Sequence, residues 1–184
     1  MPTKVERLYQ TQPRWMRRLV RCMLLLACVG PVAAACASLP SVEKDYAVGE
    51  AAEADGWRLT LHSLVLLPGD RWRQPDPGKV FCAVEVTLEN LSRGIRYFMP
   101  ERQMVLVDGA GKVFSLDHQA GVVSARTRGW TAPEGAFSAG TLAHGAVAYE
   151  LPKDAQDLRW VFRSSLLPWA EHVTFWLGSC PAEP

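Results

Sequence analysis

The sequence predicts an all-β protein, an antiparallel sandwich or barrel, behind an N-terminal export signal. From Tyr46 onward apolar residues recur at every second position, the period of a half-buried strand rather than the period of about 3.6 that marks a helix. Clusters of Pro, Gly, Asn and Asp break the chain at short intervals, as hairpin turns require. Beyond the signal no segment carries a convincing amphipathic stripe, so the crossover helices that a parallel sheet needs are missing.

The chain has 184 residues, 48% hydrophobic and 21% charged. That suits one ordinary domain with a tail and excludes a disordered chain. The sequence has no run of 18 clean apolar residues, which excludes a polytopic membrane protein. A net charge of +1 excludes a nucleic-acid partner bound through a global basic field.

Residues 1–35 form the expected signal peptide. Six of the 20 basic residues lie there against Glu6 alone, which leaves the chain from position 36 onward at −4. A basic leader on an acidic body is the polarity of export. Arg17, Arg18 and Arg21 end the charged part, and 14 residues from Cys22 to Ala35 follow as the apolar part. The segment VAAAC, ending at Cys36, resembles a bacterial lipobox, although Ala33 stands where Leu is commonest. That resemblance implies a diacylglyceryl thioether on Cys36 and anchorage in a membrane, the outer one in a cell with two, because residue 37 is Ala and not Asp. Cys28 has a lipobox-like context, but Arg21 leaves it an apolar run of only six residues. Cleavage near Ala35 or Ala37 without lipid, and an uncleaved anchor, are the alternatives.

Residues 36–45, interrupted by Pro40, read as a tether, and residues 46–184 as the domain. Trp57, Leu59 and Leu61 alternate with Arg58, Thr60 and His62 in a strand running to Leu67. The loop 68–78 holds three prolines and two glycines. The clearest strand is 80–89, with Val80, Cys82, Val84, Val86 and Leu88 on one face. Segments 104–107 and 112–116 flank Asp108-Gly109-Ala110-Gly111, a hairpin signal, since glycine accepts positive φ. Residues 117–134 read as irregular, with Val122-Val123 as a short strand. Strands at 145–151, 159–163 and 172–178 complete the set, and single helical turns fit 154–157 or 166–171.

The order of these pieces resembles a family of bacterial secreted and lipoprotein domains of unknown function, related to small secreted immunogenic antigens of mycobacteria. Carrying it are Val48-Gly49-Glu50, GWRLTLHSLVLL at 56–67, KVFCAVEVTLENLS at 79–92, MVLVDGAGKVFSL at 104–116 and LAHGAVAYELPKD at 142–154. His144 stands where the family usually has proline. The resemblance covers most of residues 46–163 and implies an immunoglobulin-like β-sandwich and an envelope location. It implies no activity.

With Cys22 and Cys28 in the signal and Cys36 lipidated, Cys82 and Cys180 remain. They are either a disulfide, stabilising by about 4–5 kcal/mol for a loop of this length, or plain thiols. No serine-hydrolase, phosphate-loop or metalloprotease motif is present, and neither a catalytic residue, a metal nor a cofactor is expected. His62, His118, His144 and His172 lack any local ligand spacing. Six tryptophans follow position 36. Trp57 is in phase with the core, whereas Trp72, between Arg71 and Arg73, and Trp130, beside Gly129, are candidates for partner binding. The leading expectation is a non-enzymatic envelope lipoprotein that binds an envelope protein or other envelope component. The alternatives are a metal-binding or redox-related protein using histidines or the Cys82/Cys180 pair, and an envelope hydrolase with paired carboxylates.

Overall fold

The computed structural model describes residues 45–181. The expected signal peptide 1–35, Cys36 and the tether up to residue 44 lie outside the described residues, as do residues 182–184. Strands dominate, in the order β1 (Asp45–Ala47), β2 (Ala51–Ala54), β3 (Trp57–Leu67), β4 (Lys79–Asn90), β5 (Arg96–Phe98), β6 (Met104–Val107), β7 (Val113–Phe114), β8 (Gly135–Phe137), β9 (Leu142–Pro152), β10 (Leu158–Arg163) and β11 (His172–Gly178). Two helices interrupt them, α1 (Pro100–Gln103) and α2 (His118–Arg128).

The fold is the expected β-sandwich. One sheet has the order β2-β3-β4-β9, the other β1-β11-β10-β6-β7, and β5 and β8 form a separate ribbon. Pairing is antiparallel except for β1, which lies parallel to β11. The inward phase read for 80–88 is correct: Cys82, Val84, Val86 and Leu88 are fully buried between the sheets. So are Trp57, Leu59 and Leu61. Past Leu61 the pairing of β3 with β4 shifts register, a bulge that resets the phase. Leu64 and Leu66 then point into the core, and Leu67 faces outward. Across the core, Trp160 Nε1 donates to the Tyr149 hydroxyl at 2.9 Å, which ties β10 of one sheet to β9 of the other. Burial holds the Tyr149 phenol well above its ordinary range, outweighing the opposing effect of that bond.

The segment 117–134 departs from expectation. It holds α2 rather than irregular chain, and Val122-Val123 is helical. The helix is set by its ends and by what it covers. The Asp117 carboxylate accepts from Ala120 N, and Gly129 closes the other end at φ 72°. Ala120 and Val123 bury against Leu67, Phe81, Ala83, Ala146 and Ala148 on the outer face of the β3-β4-β9 sheet. The chain flanking α2 also covers the free edge of β9, through Asp117 N to Ala148 O at 2.9 Å and Ala146 N to Thr131 O at 3.2 Å. Gly145 permits this approach, since a Cβ there would collide with the Thr131 carbonyl. The turns 154–157 and 166–171 are not helical.

Cys82 and Cys180 are joined, which ties β4 to the chain two residues beyond β11 of the opposite sheet, across a sequence separation of 98. The loops 68–78, 108–112 and 153–157 gather at this end, where Lys153 N donates to Gly78 O and Gly109 N to Gln156 O. The turn 55–56 and the loop 164–171 lie at the opposite end, where Asp55 N donates to the Glu171 carboxylate.

Replacing Val84 or Val86 by Asp is expected to unfold the domain, since an unpaired buried carboxylate costs several kcal/mol against a total of ~5–15 kcal/mol. Ala83→Lys should do the same beneath α2, whereas Glu85→Lys on the uncovered half of the face should cost no more than about 1 kcal/mol. Thermal denaturation of the four variants checks both halves of the face. Cys180→Ala should lower the melting temperature by on the order of 10 °C, from the loss of a long-loop crosslink. A shift no larger than that of an exposed serine substitution would show that the crosslink adds nothing.

Candidate functional site

The loop from Pro68 to Gly78 joins β3 to β4 beside the last turn of α2. Its geometry is organised by Asp70. One carboxylate oxygen accepts from Trp72 N at 2.8 Å and Arg73 N at 2.7 Å, which forms an Asx-type turn. The other accepts from Arg126 Nη1 of α2 at 3.1 Å. Gln74 Nε2 donates to the Asp70 carbonyl at 2.6 Å, and Asp70 N to the Arg73 carbonyl at 2.8 Å. Burial alone would raise the Asp70 carboxyl. The bonds from Trp72 N, Arg126 and Arg73 N outweigh it and hold the group below its ordinary value.

This turn presents the Trp72 ring to solvent at 64% exposure. The Arg71 guanidinium lies 3.7 Å and that of Arg126 4.9 Å from the ring centroid, within cation–π range. Along the same helix, Arg128 lies 5.6 Å from the centroid of Trp130. Both arginines stand in the last turn, where cations complement the helix dipole. Trp130 is half-buried against the cluster beneath α2, so it is partly structural. Arg73 is half-buried, and its Nε is buried without a hydrogen-bond partner. Of the arginines Arg71, Arg73, Arg126 and Arg128, Arg126 is the one whose guanidinium pairs with a carboxylate among the described residues, that of Asp70.

Of the four residues expected here, Arg71 and Trp72 stand together, Trp130 lies against the adjoining helix end, and Arg73 is turned partly inward. Sequence reasoning missed Asp70 and Arg126. Asp70 was legible as the first residue of an Asp-x-x turn between prolines, but Arg126 is 56 positions away. It also missed the exposure of Trp169, at 77%.

A cleft of about 500 Å³ lies at the same end, lined by residues including Leu66, Pro75, Lys79, Lys153, Gln156 and Cys180. Lys79, at its wall, pairs with Asp76 at 2.7 Å and Glu150 at 2.6 Å, and both bonds raise its ammonium above the ordinary lysine range. On the lower outer face of the β3-β4-β9 sheet, topology unites two histidines that the sequence separates. His62 Nε2 and His144 Nδ1 both reach Thr87 Oγ1, at 2.8 and 3.1 Å. The His144 Nε2 atom lies 3.3 Å from Glu85, which also accepts from Ser63 Oγ at 2.6 Å. Among the described residues no group of three His, Cys, Asp or Glu side chains is placed to hold a metal ion.

The sequence profile of a domain of unknown function, DUF4352, matches residues 46–172. The chain belongs to the DUF4352 family. Solved structures share the fold at low identity. The yjhA protein of Bacillus subtilis is 15% identical, with a TM-score of 0.53 over 72% of this chain and 99% of that one. The ycdA protein of the same organism, described as a candidate lipoprotein, is 13% identical, with a TM-score of 0.56 over 70% of this chain and 38% of that one. The secreted protein MPT63 of Mycobacterium tuberculosis is 10% identical, with a TM-score of 0.50 over 75% and 98%. No curated protein sequence matches. The DUF4352 domain is thus a β-sandwich, in accord with the fold and relatives that the sequence implied.

Asp70→Asn should loosen the turn and the Arg126 contact with little change in melting temperature. Because the native carboxyl is held below its ordinary value, this support is present above the ordinary carboxylate range and lost as pH falls through the lowered one. The tryptophan fluorescence of wild type and Asp70→Asn should therefore differ at neutral pH and converge in acid. Identical spectra at pH 7 would show that Asp70 does not hold Trp72.

Proposed function

We propose that this DUF4352 protein is an envelope-anchored lipoprotein whose domain binds an anionic envelope component through the surface built from Arg71, Trp72, Arg126 and Arg128. The observation that carries the reading is Trp72. It is 64% exposed, has two guanidiniums within cation–π range of its ring and is held by a carboxylate that anchors both the turn and the helix. A large apolar ring fixed at the surface gains little for folding. It offers a planar contact of low conformational entropy, and the surrounding arginines complement anionic groups.

Anchorage at Cys36 gives this surface a direction. β1 begins beside Thr174 and runs toward Trp176, so its first residue is the one nearer the loop 164–171. The Trp72 loop lies at the other end of the sandwich. The chain therefore enters the domain at the end opposite Trp72, which leaves this surface clear of the tether's point of attachment. The chemistry of the surface supports binding rather than turnover, since it assembles cations and rings with no nucleophile or paired carboxylates.

Arg71→Ala combined with Trp72→Ala should reduce retention of the partner from native membranes roughly tenfold or more, as for a central aromatic–arginine anchor. Thermal stability should stay within about 1 kcal/mol of wild type. A large fall in melting temperature would make Trp72 a structural cap, and unchanged retention would place the functional surface elsewhere. In parallel, Cys36→Ser should abolish incorporation of labelled fatty acid and leave the chain either uncleaved or soluble. A wild type that takes up no label overturns the lipoprotein reading.

A further inference from the structure

The loop 164–171, between β10 and β11, has a fastened base and an apolar tip. At the base, Ser164 N donates to Glu171 O at 2.9 Å, which closes the loop. Trp57 Nε1 of the core donates to Ser164 O at 3.1 Å, and Asp55 N to the Glu171 carboxylate at 2.6 Å. Gln103 Nε2 of α1 holds Arg163 O at 3.0 Å. Ser164 and Ala170 are buried. Between them a turn, Ala170 N to Leu167 O at 3.0 Å, pushes out Leu166, Leu167, Pro168 and Trp169. Their exposures are 47% for Leu166, 51% for Leu167 and 77% for Trp169.

Three large apolar side chains projected from a rigid base are not the chance exposure of scattered surface residues. The position of the loop says what covers them. It lies at the end of the sandwich from which β1 runs, beginning at Asp45 opposite Thr174. The eight residues 37–44 separate Cys36 from β1, a reach of at most about 30 Å when fully extended. A domain held that close to a bilayer by its N-terminal cysteine can bring this end into contact with the headgroups. Tryptophan favours the membrane–water interface, with its ring in the apolar boundary and its N–H in water. The exposed Arg163 at the base of the loop suits anionic headgroups.

We propose that Leu166, Leu167 and Trp169 form a membrane-docking loop that inserts into the interface of an anionic bilayer and stands the domain upright on its lipid anchor. The occupant is a phospholipid surface. The proposal rests on the anchor reading: the two acyl chains of a diacylglyceryl anchor hold the chain at the bilayer but do not fix how the domain stands on it. Docking would also fix the Trp72 surface outward rather than leaving the domain to tumble on its tether.

The test uses the full lipidated chain in vesicles of phosphatidylethanolamine and phosphatidylglycerol whose acyl chains carry bromine near the interface, which quenches tryptophan on contact. Wild type should be quenched. Trp169→Ser should lose roughly half or more of that quenching while still sedimenting with the vesicles through its anchor, as expected if one interfacial ring carries the signal. Leu166→Ser with Leu167→Ser, which leaves every tryptophan in place, should also reduce it. Both sites are exposed, and circular dichroism confirms folding. Anchored wild type that is not quenched, or Trp169→Ser quenched as wild type, overturns the docking loop and leaves the anchor reading standing. Absence of lipid label with Trp169-dependent quenching overturns the anchor and keeps the loop. Self-association of wild type in vesicle-free buffer that Trp169→Ser abolishes would assign the tip to a second copy and overturn the membrane proposal.

Discussion

The rest of the structure depends on the burial of β4 on both faces. Its inward side chains Cys82, Val84, Val86 and Leu88 fill the gap between the sheets, while Phe81 and Ala83 are sealed from outside by α2. β4 pairs along its length with β3 on one side and β9 on the other, so any displacement of it moves three strands. A strand with two apolar faces must be covered twice, and a four-stranded sheet packed on one partner covers only one side. Helix α2 supplies the second cover where the outward residues are Phe81 and Ala83. It stops where they become Glu85, Thr87 and Glu89. There the surface is closed instead by polar pairs, Arg58 with Glu53 and Glu89, and Glu85 with Ser63 and His144.

This division explains what the sequence made legible. A period of two needs only local residues, so β3, β4, β9, β10 and β11 were readable, as was the 104–116 hairpin. Helix α2 was not, because its helicity owes little to its own face. Ala120 and Val123 are its only buried apolar residues, among Val, Thr and Gly of modest helix propensity. The local clues were its ends, an Asp cap at 117 and Gly129 eleven residues after His118. They become decisive only once Phe81 and Ala83 are seen to need a cover. The ribbon β5–β8 was equally invisible, since it pairs two three-residue segments about 40 positions apart. The β3 bulge is another nonlocal event: nothing in Leu61-His62-Ser63 announces a change of phase, yet it decides which leucines meet the core.

The surface around Trp72 follows from the same cover. Because α2 must lie over the Phe81 end of β4, its last turn ends beside the loop that leads into that end, and Arg126 reaches Asp70. The exposed ring and its flanking arginine were readable because they are adjacent in sequence. The carboxylate hub and the second guanidinium were not, since loop and helix meet only through the sheet between them. The Cys82–Cys180 bridge belongs to this end as well and fastens the two sheets where three loops gather.

The tryptophans separate by what each ring's polar edge and face encounter. Trp57 and Trp160 are fully buried, and each donates its indole N–H, to Ser164 O and to the Tyr149 hydroxyl. Trp72, Trp130 and Trp176 lie nearer the surface, each beneath an arginine: Arg71 and Arg126, Arg128, and Arg159 in turn. Trp176 also donates to Asp45, which pins β1 to β11. Trp169 differs from all of these, because among the described residues it has neither a hydrogen-bond acceptor nor a cation over its face, and it is the most exposed large apolar side chain. A ring satisfied by the core or by a guanidinium has its surroundings supplied by its own fold. A ring with neither, set on a loop whose base is held by four hydrogen bonds, has its position supplied by the fold and its surroundings left to be met by another surface. The sandwich therefore has two unlike ends, one cationic and aromatic, the other apolar and next to the strand through which the chain enters the domain.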